Sequence, residues 1–181
     1  MVALLLFLFA PSSRRPEPRH KSRSISYWVQ GIKLPNRDTD RFVNTVLDIG
    51  PSAVPFLVKE FNKQNSVLRR SGLYRRIWAE LPETLRWRVS APVNHGGKMA
   101  ALAYTLGMIG PGARDAVPSL IRAANDNSKT VRYYSIWALG QIGASNACSV
   151  ISARLTDSEI SVREAAKRAL ETITFLERKA E

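Results

Sequence analysis

The sequence has few of the residues that build metal sites and disulfides. Its 181 residues include one cysteine and two histidines. A single cysteine, Cys148, excludes a disulfide within the chain and a metal site made of several cysteines. Neither His20 nor His95 has a second ligand at the spacing that metal sites use. We therefore expect no metal and no cofactor, and a structural role for Cys148.

Catalytic motifs are missing as well. The sequence contains no nucleophile beside a base, no pair of carboxylates arranged for acid–base chemistry and no phosphate-binding glycine loop. Gly96 and Gly97 precede a predicted helix, but no lysine followed by serine or threonine stands at the required distance. The sequence thus predicts a protein that is not an enzyme and has no small-molecule substrate.

An apolar run of about 20 residues, the length that crosses a bilayer, is also absent. The longest run, MVALLLFLFA at residues 1–10, has the length of the apolar part of a secretory signal, but no basic residue precedes it and Pro11 follows it. A basic, proline-rich segment comes next, so residues 1–24 form a hydrophobic leader and a linker. A signal, a membrane anchor and a mis-assigned start all remain open. We favour a membrane-associated or exported protein over a cytoplasmic one, with the N-terminal segment contacting a membrane.

Acidic residues are scarce relative to basic ones. The chain has 15 acidic and 27 basic residues, a formal net charge of +12. Residues 1–98 carry 17 basic and 7 acidic residues, or +10, whereas residues 99–181 carry 10 and 8, or +2. Such a balance favours an acidic partner, although high charge also serves solubility alone.

An internal repeat is the main feature that the sequence does have. LGMIGPGARDAVPSLIRAAND (106–126) and VLDIGPSAVPFLVKEFN (46–62) share Ile-Gly-Pro followed by Val-Pro-x-Leu. A third copy, LGQIGASNACSVISARLTD (139–157), keeps Ile-Gly and loses the proline. VRYYSIWALGQIG and VREAAKRALETI then align at a spacing of 31 residues. A fixed period of this length is typical of repeat architectures.

Each copy has the pattern of a helix pair. Apolar residues recur every three or four positions, and no segment alternates with period two, so we expect helices and no sheet. Gly110 and Gly143 are predicted to end helices in the left-handed conformation. Ser52 and Asp115, each three residues before a proline, are predicted N-caps. Since one pair cannot bury both of its apolar faces, we predict an all-α fold, an α-solenoid of stacked antiparallel helix pairs.

These segments resemble the HEAT repeat family, in particular the short bacterial repeats of phycobilisome lyases. The resemblance is close over residues 98–173 and looser over 40–62. It implies a ladder between repeats, made of an aspartate in the turn and an arginine six residues later, at Asp126 with Arg132 and Asp157 with Arg163. The first unit lacks such a pair. The resemblance also implies a binding scaffold, with a bilin lyase subunit or chaperone as a weaker analogy.

Residues 63–97 interrupt the repeat, and we interpret them as an irregular insertion in a repeat domain over 25–178. Arginine beside aromatic residues suits protein interfaces, and equally phosphate contact and base stacking. We favour a protein partner, with acidic proteins among the candidates. The alternative is a nucleic-acid-binding protein, including one with DNA-glycosylase-like activity, that uses the stretch 69–88. A third interpretation puts Leu73, Ile77, Trp78 and Leu81 in the core and leaves the arginines in solvent. The candidate partner-binding surface comprises Arg69, Arg70, Tyr74, Arg75, Arg76, Arg86, Arg88 and Tyr134.

Overall fold

A computed structural model describes residues 17–30, 37–64, 72–86 and 95–180. Helices account for most of these residues, as the repeat predicts, and the all-α prediction is confirmed. The leader at residues 1–10 and the first part of the linker, up to residue 16, lie outside the described part. In chain order the elements are β1 (Arg19–His20), β2 (Arg23–Ser24), α1 (Ile25–Gln30), α2 (Arg37–Ile49), α3 (Val54–Gln64), α4 (Gly72–Glu80), α5 (Glu83–Arg86), α6 (His95–Ile109), α7 (Val117–Ala123), α8 (Lys129–Ile142), α9 (Cys148–Ser152) and α10 (Ile160–Ala180).

The Ile-Gly pairs end three of the long helices. Gly50, Gly110 and Gly143 have φ of +72°, +67° and +72°, which is the left-handed conformation that glycine adopts without strain. The predicted roles of Gly110 and Gly143 as helix ends are therefore confirmed. Each of these turns leads through a short 3₁₀ segment into the next helix, so the chain reverses direction within a few residues.

The predicted N-caps are wrong. The residue before α7 is Ala116, which makes no side-chain cap, and the Ser52 hydroxyl donates instead to the Ile49 carbonyl oxygen. The reason lies in the 3₁₀ segments, which run directly into α3 and α7. Their carbonyls accept the hydrogen bonds of Val54 and Val117, so no side-chain cap is needed at these N–H groups.

The helices form two layers. Helices α2, α6, α8 and α10 pack side by side in one layer, and the shorter α3, α7 and α9 pack against them in the other. One continuous core runs between the layers and is lined mainly by aliphatic side chains and alanine. Because each unit covers the apolar face of its neighbour, the stack is an α-solenoid.

Small residues bring the long helices close together. A Cβ added at Gly140 would lie 2.8 Å from the Ala169 Cβ atom, and a Cβ at Gly107 would lie 2.9 Å from the Ala138 Cα atom. Gly107 and Gly140 occupy equivalent places on α6 and α8, so the same close approach recurs at both junctions. A larger side chain at either glycine would force neighbouring helices apart.

A short hairpin corrects the expectation that the chain has no strand. β1 and β2 pair in antiparallel register, with His20 opposite Arg23. The Glu17 carboxylate then accepts hydrogen bonds from the backbone N–H and hydroxyl of Ser26 at the start of α1. Ile25 and Val29 of α1 are buried, so this segment packs with the core.

Candidate functional site

The junction between α8 and α10 is fixed by a bidentate ion pair. The Arg132 Nε and Nη2 atoms donate to the two Asp157 carboxylate oxygens at 2.9 and 2.7 Å. Only 11% of the Arg132 side chain and 4% of the Asp157 side chain are exposed. Arg132 Nη1 donates to the Asp126 carbonyl oxygen at 2.9 Å, so the guanidinium joins the turn before α8 to the turn before α10.

The electrostatics of this pair favour its charged form. The hydrogen bond from Arg132 lowers the pKa of Asp157 below its ordinary value against the opposing effect of burial. The same hydrogen bond raises the pKa of Arg132. Glu159 N–H also donates to the Asp157 carboxylate, which closes the turn before α10 and orients the acid.

The other two members of the predicted ladder have related roles. The Asp126 carboxylate accepts a hydrogen bond from the Ser128 N–H at 2.8 Å and so shapes its own turn. Arg163 Nη1 donates to the Asp157 carbonyl oxygen at 2.7 Å, as Arg132 does to Asp126. Within the predicted ladder, Arg132 binds the carboxylate of the following aspartate, and both arginines bind the backbone carbonyl oxygen of the aspartate six residues earlier.

The junction between α3 and α6 uses different residues. Lys98 Nζ lies 3.2 Å from the Glu60 carboxylate, which also accepts a hydrogen bond from Gln64. Burial raises the pKa of Glu60, but the hydrogen bond from Gln64 and the charge of Lys98 outweigh it, and the net shift is downward.

Aromatic rings form a stripe on the outer face of α6 and α8. The Tyr104 and Trp137 rings stack with centroids 5.1 Å apart, and Tyr134 contacts Tyr104 edge to face at 5.8 Å. Tyr133 packs edge to face on Tyr134 at 5.0 Å. The rings hold one another in fixed positions while remaining only partly buried.

A cleft of about 500 Å³ lies between α8 and α10 beside this stripe. Tyr133 and Trp137 line it from α8, and Ala165 and Ala169 of α10 lie toward α8. Charged and polar side chains from the outer face of α10 also line it. These are Ser161, Glu164, Arg168, Glu171 and Thr172.

The predicted partner-binding surface is only partly described. Arg69, Arg70 and Arg88 lie outside the described residues, as do the side chains of Tyr74, Arg75 and Arg86. Arg76 is exposed on α4, and Tyr134 lies on α8 in the aromatic stripe.

The interpretation that put the apolar residues of this stretch in the core is wrong at one position. Ile77 is 55% exposed. Trp78 and Leu81 are partly buried. Leu73 has no described side chain.

Sequence reasoning missed the cleft. The repeat contained a signal for it. Tyr104 and Trp137 each stand three residues before the equivalent glycines Gly107 and Gly140, so they take the same place on successive helices. At a spacing of 31 residues, Arg168 takes that place on α10. Planar side chains thus follow one another across three units.

The stacked helix pairs define an α-solenoid. Residues 98–171 match the family model described as HEAT repeats, so this segment of the chain is similar to HEAT repeats. A comparison with curated proteins finds no significant match. Among the residues that the structure covers, no helix is both long and apolar enough to span a bilayer, and no three metal-ligating side chains come together in a cluster.

Proposed function

We propose that this chain is a non-catalytic scaffold that binds another protein through the cleft between α8 and α10. The observation that carries the proposal is the composition of this cleft. Tyr133 and Trp137 line it from α8, and alanines together with charged and polar side chains line it from α10. Protein interfaces are enriched in aromatic side chains and combine apolar with polar contacts.

The aromatic stripe supports a polypeptide as the partner. Tryptophan, tyrosine and arginine are the residues that most often dominate binding energy at interfaces. Trp137 is held by stacking on Tyr104, so little side-chain freedom is lost when a partner covers it. Glu164, Arg168 and Glu171 supply donors and acceptors for the partner's backbone and polar side chains.

The net charge supports an acidic partner. The formal charge of +12 attracts negatively charged proteins over long distances and accelerates their encounter. We propose the arginines of residues 69–88 as a second contact for such a partner, within an insertion at 63–97 of a repeat domain over 25–178. Nucleic acid is the competing partner for the same arginines.

Two neighbouring residues of α10 provide a matched test. Arg168 lines the cleft, whereas the adjacent Lys167 is exposed and does not line it. Affinity capture from cells that express the chain should recover a specific protein. Arg168→Glu should reduce its recovery about tenfold or more, and Lys167→Glu, with the same change of charge, should not.

Equal loss in both variants would mean that charge alone drives capture and would contradict the cleft as the site. A parallel titration with single- and double-stranded DNA and RNA at 50 and 200 mM salt tests the alternative. Tight, steeply salt-dependent binding to nucleic acid, without a captured protein, would replace the proposal.

A further inference from the structure

The first turns of α8 and α10 occupy equivalent places in successive units, 31 residues apart. On α8, two side chains reach the next unit. Arg132 binds Asp157 with two nitrogens, and Lys129 Nζ lies 3.3 Å from the Glu159 carboxylate. The corresponding side chains on α10 are Arg163 and Ile160, and no further unit is described beyond them.

Arg163 is held in the orientation that Arg132 uses. Its Nη1 donates to the Asp157 and Ser158 carbonyl oxygens at 2.7 and 3.2 Å. Arg132 Nη1 makes the same pair of contacts at 2.9 and 3.2 Å. The Nε and Nη2 atoms of Arg163, which in Arg132 bind the carboxylate, have no hydrogen-bond partner among the described residues.

Ile160 stands three residues before Arg163, on the same side of α10. Its equivalent, Lys129, pairs with an acid two residues after the aspartate of the next turn. Ile160 is 68% exposed, so at this place α10 offers an apolar side chain where α8 offers a cation. A segment that binds here in the same way carries an apolar residue two positions after its acid.

We propose that the start of α10 is a docking site for an acidic turn of another protein, with the pattern aspartate, any residue, apolar residue. The aspartate binds Nε and Nη2 of Arg163 in the bidentate geometry of Asp157 on Arg132. The apolar residue packs on Ile160. The positive charge of the chain favours such an acidic segment.

A second copy of this chain fits poorly. Among the described residues, the pattern occurs at Asp40-Arg41-Phe42 and Asp115-Ala116-Val117. Phe42 and Val117 are both buried in the core and cannot reach Ile160 of another molecule.

A whole further repeat also fits poorly. Of the large apolar side chains on α10, Ile160 and Phe175 are strongly exposed, and the other exposed side chains of this helix include Glu164, Lys167 and Glu171. This polar surface resembles the outer face of a terminal repeat, which leaves room for a turn at the start of the helix rather than a stacked helix pair.

The test is an NMR titration of the full chain that follows the arginine Nε–Hε signals. The probes are sodium acetate and a cyclic peptide copying residues 154–161 with Glu159→Leu. We expect acetate and the peptide to move the Arg163 signal in a saturable way. The Arg132 signal stays in place because Asp157 occupies its guanidinium. Sodium chloride at equal ionic strength serves as the salt control.

Four variants sharpen the outcome. The peptide with Asp157→Asn should bind at least tenfold more weakly. Arg163→Gln in the protein should abolish the response, whereas Arg178→Gln, at an exposed arginine near the end of the same helix, should leave it unchanged. Ile160→Ser should lower affinity for the leucine peptide several-fold.

An Arg163 signal that ignores both acetate and peptide would overturn the proposal. Equal binding of the aspartate and asparagine peptides, or a shift that depends only on protein concentration, would do the same. Arg163 does not line the α8–α10 cleft, so Arg168→Glu should not affect this titration. The two proposals can therefore fail separately.

Discussion

Two junctions of the stack show how the same repeat can be fixed by different polar contacts. Between α8 and α10, Arg132 binds Asp157 with two hydrogen bonds. Between α3 and α6, Lys98 pairs with Glu60. The apolar stacking recurs at both, whereas the ion pair that accompanies it does not.

The sequence has neither an aspartate at the end of α3 nor an arginine at the ladder position of α6. Counted from the Val-Pro starts of α3 and α7, Lys63 stands where Asp126 stands in the next unit. Counted from Gly107 and Gly140, Met99 stands where Arg132 stands. Met99 is fully buried, so α6 uses this position for the core and its neighbour Lys98 for the ion pair.

The two pairs also differ in exposure. Glu60 and Lys98 are 21% and 19% exposed, compared with 4% and 11% for Asp157 and Arg132. Water screens the Glu60–Lys98 pair more strongly, so losing this pair should lower the free energy of unfolding by less.

The largest effect on stability should follow removal of the acid at the α8–α10 junction. Asp157→Ala leaves the Arg132 guanidinium largely buried without its counter-charge, and we expect unfolding free energy to fall by about 3 kcal/mol. Urea unfolding of the full chain measures this loss. Asp115→Ala, which removes an exposed aspartate before α7, is the control and should change stability by less than about 0.5 kcal/mol. Similar losses of unfolding free energy in both variants would contradict a special role for the Asp157 carboxylate.

The next effect concerns the close approach of helices at the same junction. Gly→Ala inside a helix ordinarily stabilises by about 1 kcal/mol. At Gly140 the new Cβ would lie 2.7 Å from the Ala169 Cα atom, and we expect a loss of about 2 kcal/mol instead. Thermal unfolding shows whether the substitution stabilises or destabilises the protein. Gly96→Ala, where the nearest atom is the Ser128 hydroxyl at 3.1 Å, should be close to neutral because that side chain can rotate.

Features that depend on local contacts could be predicted from the sequence, whereas features that depend on distant contacts could not. Gly110 and Gly143 were predictable because a left-handed helix end depends on its own few residues. The all-α fold was predictable because helical periodicity persists through several units. The ladder residues were named, but whether Arg132 binds its own turn, the next one or both depends on how the units stack.

Other features depended on contacts that the sequence does not reveal. The hairpin β1–β2 is too short for its own stability, and it accompanies the contact of Glu17 with Ser26. The predicted N-caps failed because the 3₁₀ segments supply backbone acceptors instead. The cleft requires Trp137 of α8 and Ala169 of α10 to line the same space, which only the register of the stack determines.

A smaller effect on stability is expected at the α3–α6 junction. Glu60→Gln keeps the size of the side chain and removes the charge that faces Lys98. We expect a loss of about 1 kcal/mol, because this pair is more exposed than Arg132 with Asp157. Urea unfolding alongside Asp157→Ala gives the ranking directly. A loss at Glu60 equal to that at Asp157 would show that exposure does not separate the junctions. Lys59→Gln, at an exposed neighbour of Glu60, controls for a change of charge on the same helix.

The smallest effect is the response of the two junctions to acid. Both Asp157 and Glu60 have pKa values lowered by folding, so the unfolded chain binds protons first as the pH falls. Their contribution is fully present above about pH 5 and is lost progressively below it. Between pH 5 and 4 we expect less than about 1 kcal/mol from each group.

The cause of each shift lets the two contributions be separated. The hydrogen bond from Arg132 is the main cause at Asp157, so Arg132→Gln should flatten the decline of unfolding free energy between pH 5 and 4, and adding Asp157→Asn should flatten it little further. Glu60→Gln should flatten the decline by its own amount in both the wild-type and the Arg132→Gln backgrounds, since its partners are Gln64 and Lys98. Urea unfolding at pH 7, 5 and 4 measures these slopes. If Arg132→Gln removed the Glu60 contribution too, the junctions would not be independent, and the comparison between them would fail.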